Sequence, residues 1–327
     1  MSKPRIVSLF GERSGVFEDL NARALEYAAA LGFEYDWRTP APFTPENVAA
    51  CLADAEAGII DVEPYGEDIF QRIKSRTRLL VRFGVGYDKV DLEAAGRNGI
   101  AVARTVGANT LGVAEMAAAL ILAARRRILQ NHRLVQSGDW KKDVVPETIG
   151  SVLGIVGFGA IGRAVAKLFS GFDCRLLVYD PFPNPEALAE HGAELADLDR
   201  LFAEADIVSL HLPYTPETHH LVGKKLLSRM KPGAVVVNTA RGNIVDEDAL
   251  YEALRDGRIA GAGLDVFGAE PLPLSSPLLK LDNIVLAPHV SSQTEESLWR
   301  IYQMAVDIAA DFFAGKGSPH ILNNDWL

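Results

Sequence analysis

Three glycines, Gly157, Gly159 and Gly162 in the stretch VLGIVGFGAIGRAVA, constrain this chain more than any other feature. They stand in GxGxxG spacing, directly after one strand-like apolar run and at the head of a helical pattern. An acid, Asp180, follows at the end of LLVYD, at the distance of about twenty residues that a dinucleotide-binding turn requires. The first glycine permits the tight turn, the second lets backbone approach a pyrophosphate, and the third lets helix pack on strand. The phosphate charge then faces the helix N-terminus. A carboxylate at Asp180 would accept hydrogen bonds from an adenosine ribose and repel a 2′-phosphate, so the cofactor is expected to be NAD rather than NADP.

The rest of the chain has to supply a sheet for that turn, and it does. Short buried runs, RIVSLF, AGII and RLLVRF, then VLGIVG, RLLVYD, DIVSL, AVVVN, AGAGLDV and NIVLAP, alternate with helical patterns. Such alternation predicts parallel, doubly wound sheets of the α/β class. With 327 residues, 48% of them hydrophobic, there is material for two cores. The spacing predicts helices over residues 17–31, 64–74, 111–129 and 292–314, the third crossing between domains. Asn184 before Pro185 and Glu186 reads as a helix cap, as does Asp246 for a helix ended by Gly257.

Bulk properties exclude several partners. A formal net charge of −10 argues against nucleic acid or an anionic membrane. The basic run Arg125 to Arg127 reads as a complement to the dipole of the helix it closes. Cys51 and Cys174 lack disulfide-framework or zinc spacing, which fits a reducing cytoplasm, and no metal is expected. The apolar core Ile6 to Phe10 is too short for a signal peptide, and the run Met116 to Ala124 is too short to cross a bilayer.

Three polar residues follow three apolar strands: Arg241 after AVVVN, Glu270 after AGAGLDVF and His289 after NIVLAP. In an open parallel sheet the carboxyl edge is where ligands bind, so distant loops converge there. An arginine can grip a carboxylate through two parallel bonds, a histidine can pass a proton near neutral pH, and a glutamate can fix its tautomer. Singly, each also reads as an ordinary ion-pair or loop residue. Together, beside a dinucleotide turn, they suit reduction of a carbonyl next to a carboxylate.

These residues lie within a series of motifs, RFGVGYDKVDLEAA, GANTLGVAEMAAALIL, GIVGFGAIGR, VSLHLPYTPET, VVVNTARGNIVDEDALYEAL, GAGLDVFGAEPLP and DNIVLAPHVSSQT. In that order, over nearly the whole length, the chain resembles the D-isomer-specific 2-hydroxyacid dehydrogenases, which include D-3-phosphoglycerate dehydrogenase and the glyoxylate and hydroxypyruvate reductases. The resemblance implies a Rossmann NAD-binding domain, residues 104–291, inserted into a flavodoxin-like substrate domain formed by 1–103 and 292–327. It implies that Arg241 binds substrate, that Glu270 supports the acid/base His289, and that Asp265 holds the nicotinamide amide. Thr110, Gly157, Gly159, Ala160, Ile161, Gly162, Asp180, Thr239 and Ala240 would line the dinucleotide. Val85 and Gly86 would meet the substrate carboxylate, with substrate in a cleft between the domains. A homodimer is implied as well.

Two departures bear on substrate identity: many relatives carry an acid at Gly268, and glycine or alanine at Ser291 and Ser292. Arg82 does not by itself indicate a phosphorylated substrate. His219 and His220 lack partners with metal-ligand spacing and read as loop histidines. Trp140 reads as packing or, as in some relatives, as an aromatic reaching a neighbouring active site. A hydrolase is disfavoured, since neither a GxSxG elbow nor an HExxH helix occurs. One alternative of another class stays open: an NAD(H)-sensing protein like the C-terminal-binding-protein corepressors, which resemble the same family.

Overall fold

The computed structural model describes residues 3–9 and 15–327. Phe10, the last residue of the predicted RIVSLF strand, lies outside them. The chain divides into two compact units, Met1–Asn109 with Gln293–Leu327, and Thr110–Ser292.

The first unit is a five-stranded parallel sheet of β1 (Arg5–Ser8), β2 (Glu34–Trp37), β3 (Ala57–Ile60), β4 (Leu79–Arg82) and β5 (Ala101–Arg104), in the order β2-β1-β3-β4-β5. This is the flavodoxin-like order. Strands β3 and β4 are buried along their whole length, as uninterrupted apolar runs covered by helices on both faces should be. The C-terminal segment returns to this unit. Its helix Glu295–Phe313, capped by the Thr294 side chain, packs on the helix Gly15–Ala30 and buries Tyr302 edge-on against Phe83, with ring centroids 4.8 Å apart. Residues 104–109 also stay with this unit. Thr105 donates its N–H to the Gly84 carbonyl, and the Arg300 guanidinium reaches the Ala108 carbonyl at 2.8 Å.

The second unit carries seven parallel strands, β6 (Val152–Val156), β7 (Arg175–Tyr179), β8 (Glu194–Leu195), β9 (Ile207–Leu210), β10 (Val235–Asn238), β11 (Gly261–Leu264) and β12 (Ile284–Leu286). Their spatial order is β12-β11-β10-β9-β6-β7-β8, so the chain reverses its winding between β6 and β9. That switch point opens a crevice at the carboxyl edge of the sheet. Two apolar layers cover the faces, one built around Val236, Leu250 and Phe202, the other around Ile155, Val237 and Leu120.

Local chemistry sets the element ends. The Asn184 side chain accepts the N–H groups of Glu186 and Ala187, and Asp246 accepts that of Ala249, so both predicted caps are formed. The helix expected over 111–129 is shorter. It runs Thr110–Arg125, and Arg127 then adopts a left-handed conformation (φ 51°) before a separate helix, Ile128–Gln136. Arg125 lies in the last turn of the helix, where its charge complements the dipole as expected. It is buried, and its guanidinium donates to the carbonyls of Gly233 (3.0 Å) and Glu147 (3.2 Å), tying the helix end to the loop before β6. Among the described residues no helix is long and apolar enough to cross a membrane.

Candidate active site

The glycine turn after β6 has the geometry its spacing demands. Gly157 sits at φ 98°, and a Cβ there would lie 2.7 Å from the His211 carbonyl carbon. A Cβ on Gly162 would lie 2.2 Å from the Gly157 oxygen, so only glycine lets the helix Ala160–Leu168 approach the turn. Gly159 is exposed, with nothing within 4 Å of its would-be Cβ: the turn is tight where it must pack and open where a ligand would approach. Ala160 and Ile161 form the first turn of that helix, whose leading N–H groups have no partner within the helix. Asp180, just past β7, accepts the Phe158 N–H at 2.7 Å on one oxygen and the Phe182 N–H at 2.8 Å on the other. Each oxygen keeps a lone pair for a further donor.

At the ends of β9 and β10 two buried polar atoms, His211 Nδ1 and Thr239 Oγ1, lack a partner among the described residues. Buried groups left this way cost free energy unless a ligand or water meets them. The other ring nitrogen of His211 pairs with Ser209 Oγ at 2.9 Å, and enclosure of the ring pushes the His211 pKa down to about 4. Neither Ser209 nor His211 stands out from sequence. The signal was there, as polar residues interrupting the otherwise apolar IVSLHL.

Asn238 was missed in the same way. It is the last residue of β10, fully buried, and its side chain accepts the Ala240 N–H (3.0 Å) while donating to the Arg241 carbonyl (2.9 Å). This clamp folds residues 239–241 into one fixed bend. It explains how a valine-rich strand delivers Arg241 to the edge half-buried and extended, one guanidinium nitrogen donating to the Ala240 carbonyl at 2.7 Å.

The two remaining loops meet directly. His289 Nδ1 lies 2.8 Å from Glu270 Oε2, and Glu270 Oε1 accepts the Phe267 N–H at 3.0 Å. Burial alone would raise the Glu270 pKa. The His289 bond, the Phe267 N–H and the nearby charges of His289 and Arg241 outweigh it, and the pKa falls below the ordinary glutamate value. Of the three residues chosen from sequence, His289 bonds the Glu270 carboxylate directly, and the Arg241 guanidinium helps to lower its pKa. Gly268 donates its N–H to Glu247 at 2.7 Å, so a carboxylate from the first turn of the next-door helix holds the Glu270 loop.

His289 is in the left-handed region (φ 54°), which costs a non-glycine residue roughly 1–2 kcal/mol. Asp265 offsets that cost. Its carbonyl accepts the His289 N–H at 2.8 Å, and its fully buried carboxylate accepts the N–H groups of Val290 (2.8 Å) and Ser291 (2.9 Å) and the Ser291 hydroxyl. Asp265 is thus first of all the anchor of the loop that presents the imidazole. The ring itself stays 42% exposed, open to a substrate.

Thr110 begins the helix Thr110–Arg125 and is half-buried. Val85 and Gly86 lie in the first unit, on the loop after β4, half-buried, with no backbone partner for either N–H among the described residues. His219 and His220 stack on each other, centroids 4.0 Å apart, and among the described residues no group of three metal-ligating side chains occurs.

Residues 118–291 match the sequence model of the D-isomer specific 2-hydroxyacid dehydrogenase NAD-binding domain. The chain belongs to this family. It is 40% identical over 301 residues to a glyoxylate reductase of Korarchaeum cryptofilum, covering 90% of each chain. It is 39% identical over 285 residues to a D-3-phosphoglycerate dehydrogenase of Archaeoglobus fulgidus, covering 86% of this chain and 54% of that one. Among solved structures, the NAD-complexed D-isomer specific 2-hydroxyacid dehydrogenase of Lactobacillus delbrueckii ssp. bulgaricus superposes with a TM-score of 0.80 at 27% identity, over 98% of this chain and 100% of that one. Membership in the 2-hydroxyacid dehydrogenase family makes the chain an NAD-dependent oxidoreductase. The glycine cradle, the two free lone pairs on Asp180 and the orphaned Thr239 hydroxyl all suit that dinucleotide.

Proposed function

We propose that this dehydrogenase interconverts a small 2-oxo acid and the D-2-hydroxy acid, of the glyoxylate, hydroxypyruvate or 3-phosphoglycerate type. The observation that carries the proposal is the His289–Glu270 pair at 2.8 Å, with Arg241 following β10, on the carboxyl edge of the NAD-binding sheet. The carbonyl carbon would take up the hydride that NADH supplies when bound. His289 donates a proton from its outer nitrogen to the carbonyl oxygen, while Glu270 holds the inner N–H and stabilises the charged ring. Arg241 binds the carboxylate and polarises the carbonyl. The Val85 and Gly86 N–H groups are the second carboxylate contact, a role supported by their having no backbone partner among the described residues. Asp265 accepts the nicotinamide carboxamide, Thr239, Ala240, Ala160, Ile161 and Thr110 line the dinucleotide, and Asp180 binds the adenosine ribose.

A homodimer suits the surface of the second unit. The helix Ile128–Gln136 buries none of its residues, and Ile128, Val135, Trp140, Val144 and Ile149 are all exposed on it and the loop that follows. The unpaired thiols Cys51 and Cys174 are consistent with a reducing cytoplasm. The test is NADH consumption with glyoxylate, hydroxypyruvate, 3-phosphohydroxypyruvate and pyruvate, with NADPH as control. Turnover of at least one acid with NADH, and far less with NADPH, is expected. Tight NADH binding with no turnover of any oxo acid would favour the sensing protein instead.

A further inference from the structure

The Asp265 carboxylate has almost no acceptor capacity to spare. A carboxylate offers about four lone-pair sites. Oδ1 spends one on the Val290 N–H, and Oδ2 spends two on the Ser291 N–H and the Ser291 hydroxyl. The group is wholly buried, and Ser291 is itself buried against it. The three bonds do different things. The two backbone donors fix the turn that holds His289 left-handed, and they would survive any side chain at 291. The hydroxyl is not needed for that turn; its effect is to cover Oδ2.

We infer that Ser291 is a specificity-determining residue of the cofactor site, whose hydroxyl competes with the primary carboxamide N–H of the nicotinamide for Asp265. The inference rests on the proposed role of Asp265 as acceptor of that amide. The amide is placed on Oδ2, where it has to displace a hydroxyl already bonded there, so one charge-assisted bond is exchanged for another and little affinity is gained; an amide that met the one open site on Oδ1 would leave NADH affinity unchanged in Ser291→Ala. Without the hydroxyl the bond to Oδ2 is a net gain. A net hydrogen bond to a charged group corresponds to roughly tenfold or more in affinity. Ser291 therefore holds NADH more loosely than the turn alone would, which also favours release of the used dinucleotide.

The test compares dissociation constants, by fluorescence titration without oxo acid, for NADH and reduced 3-acetylpyridine adenine dinucleotide, whose methyl ketone has no N–H. Ser291→Ala keeps both backbone bonds and should bind NADH about tenfold more tightly than wild type, with the acetylpyridine analogue unchanged. Ser291→Gly should shift in the same direction. If Ser291→Ala binds both dinucleotides more tightly to the same degree, or neither, the competition is overturned. Wild type that distinguishes the two dinucleotides, alongside Ser291→Ala that does so no better, overturns Ser291 alone and keeps Asp265. If no protein in the series distinguishes them, the Asp265 assignment falls as well.

Discussion

Replacing Glu270 by Gln isolates the charge on the imidazole's partner with little change of shape. In the native site one carboxylate oxygen takes the Phe267 N–H at 3.0 Å and the other faces His289 Nδ1 at 2.8 Å. Glutamine keeps the first bond through its carbonyl oxygen. Its amide nitrogen then points at Nδ1, and two donors cannot face each other, so the doubly protonated ring loses its acceptor. A hydrogen bond to a charged group is worth about 1.5–3 kcal/mol net. Both side chains are around two-fifths exposed, 42% for His289 and 37% for Glu270, so solvent screening brings this to about 1–2 kcal/mol. Every 1.4 kcal/mol is tenfold, so kcat/KM for oxo-acid reduction should fall roughly 5- to 30-fold. The NADH dissociation constant should stay within about twofold, since Glu270 is assigned no cofactor contact. Steady-state NADH consumption and fluorescence titration measure the two quantities. A variant with native kcat/KM, or one whose entire loss lies in NADH affinity, would refute the reasoning. Stability carries a second signature. The native Glu270 pKa is lowered from 4.5, so its charged contacts stabilise the fold above that pH and are lost as pH falls through the depressed value. The stability difference between wild type and Glu270→Gln should therefore narrow only in acid.

Two further outcomes follow from the turn beside the cofactor. The His211 pKa is lowered from 6.5 to about 4, so the unfolded chain binds a proton in that window which the folded chain refuses. Stability should fall by about 3 kcal/mol as pH drops from 6.5 to 4 through this group, and His211→Gln should remove that part of the slope in denaturation curves taken across the range. Gly162→Ala would set a Cβ 2.2 Å from the Gly157 oxygen, forcing the helix away from the turn. NADH should bind about tenfold or more weakly by fluorescence titration, and unchanged binding would remove the turn from the cofactor site.

The legible parts were those governed by short-range rules. Alternating apolar runs and helical patterns gave parallel sheets, because period and length are written in consecutive residues. The caps at Asn184 and Asp246 were readable for the same reason, since each satisfies N–H groups two or three positions away. The helix break at Arg127 was not, and beside it Arg125 bonds the carbonyls of Gly233 and Glu147, far away in the chain. The site shows the same division. Arg241, Glu270 and His289 stood out as polar residues after apolar strands, whereas the residues that aim them did not. Asn238 looked like the end of a strand and Glu247 like a first-turn acid, while Ser291 stood out only as a departure bearing on substrate identity. Their roles depend on bonds to the bend before Arg241, to Gly268 and to Asp265, and the last two span 21 and 26 positions in the chain.

The central claim is that the His289 imidazole moves the proton. Single-turnover NADH oxidation, measured with His289→Gln and whichever oxo acid the wild type consumes fastest, tests it most directly. General acid catalysis typically contributes 10²- to 10⁴-fold, so the rate should fall by about a thousandfold while NADH still binds. Turnover within tenfold of wild type would contradict the account.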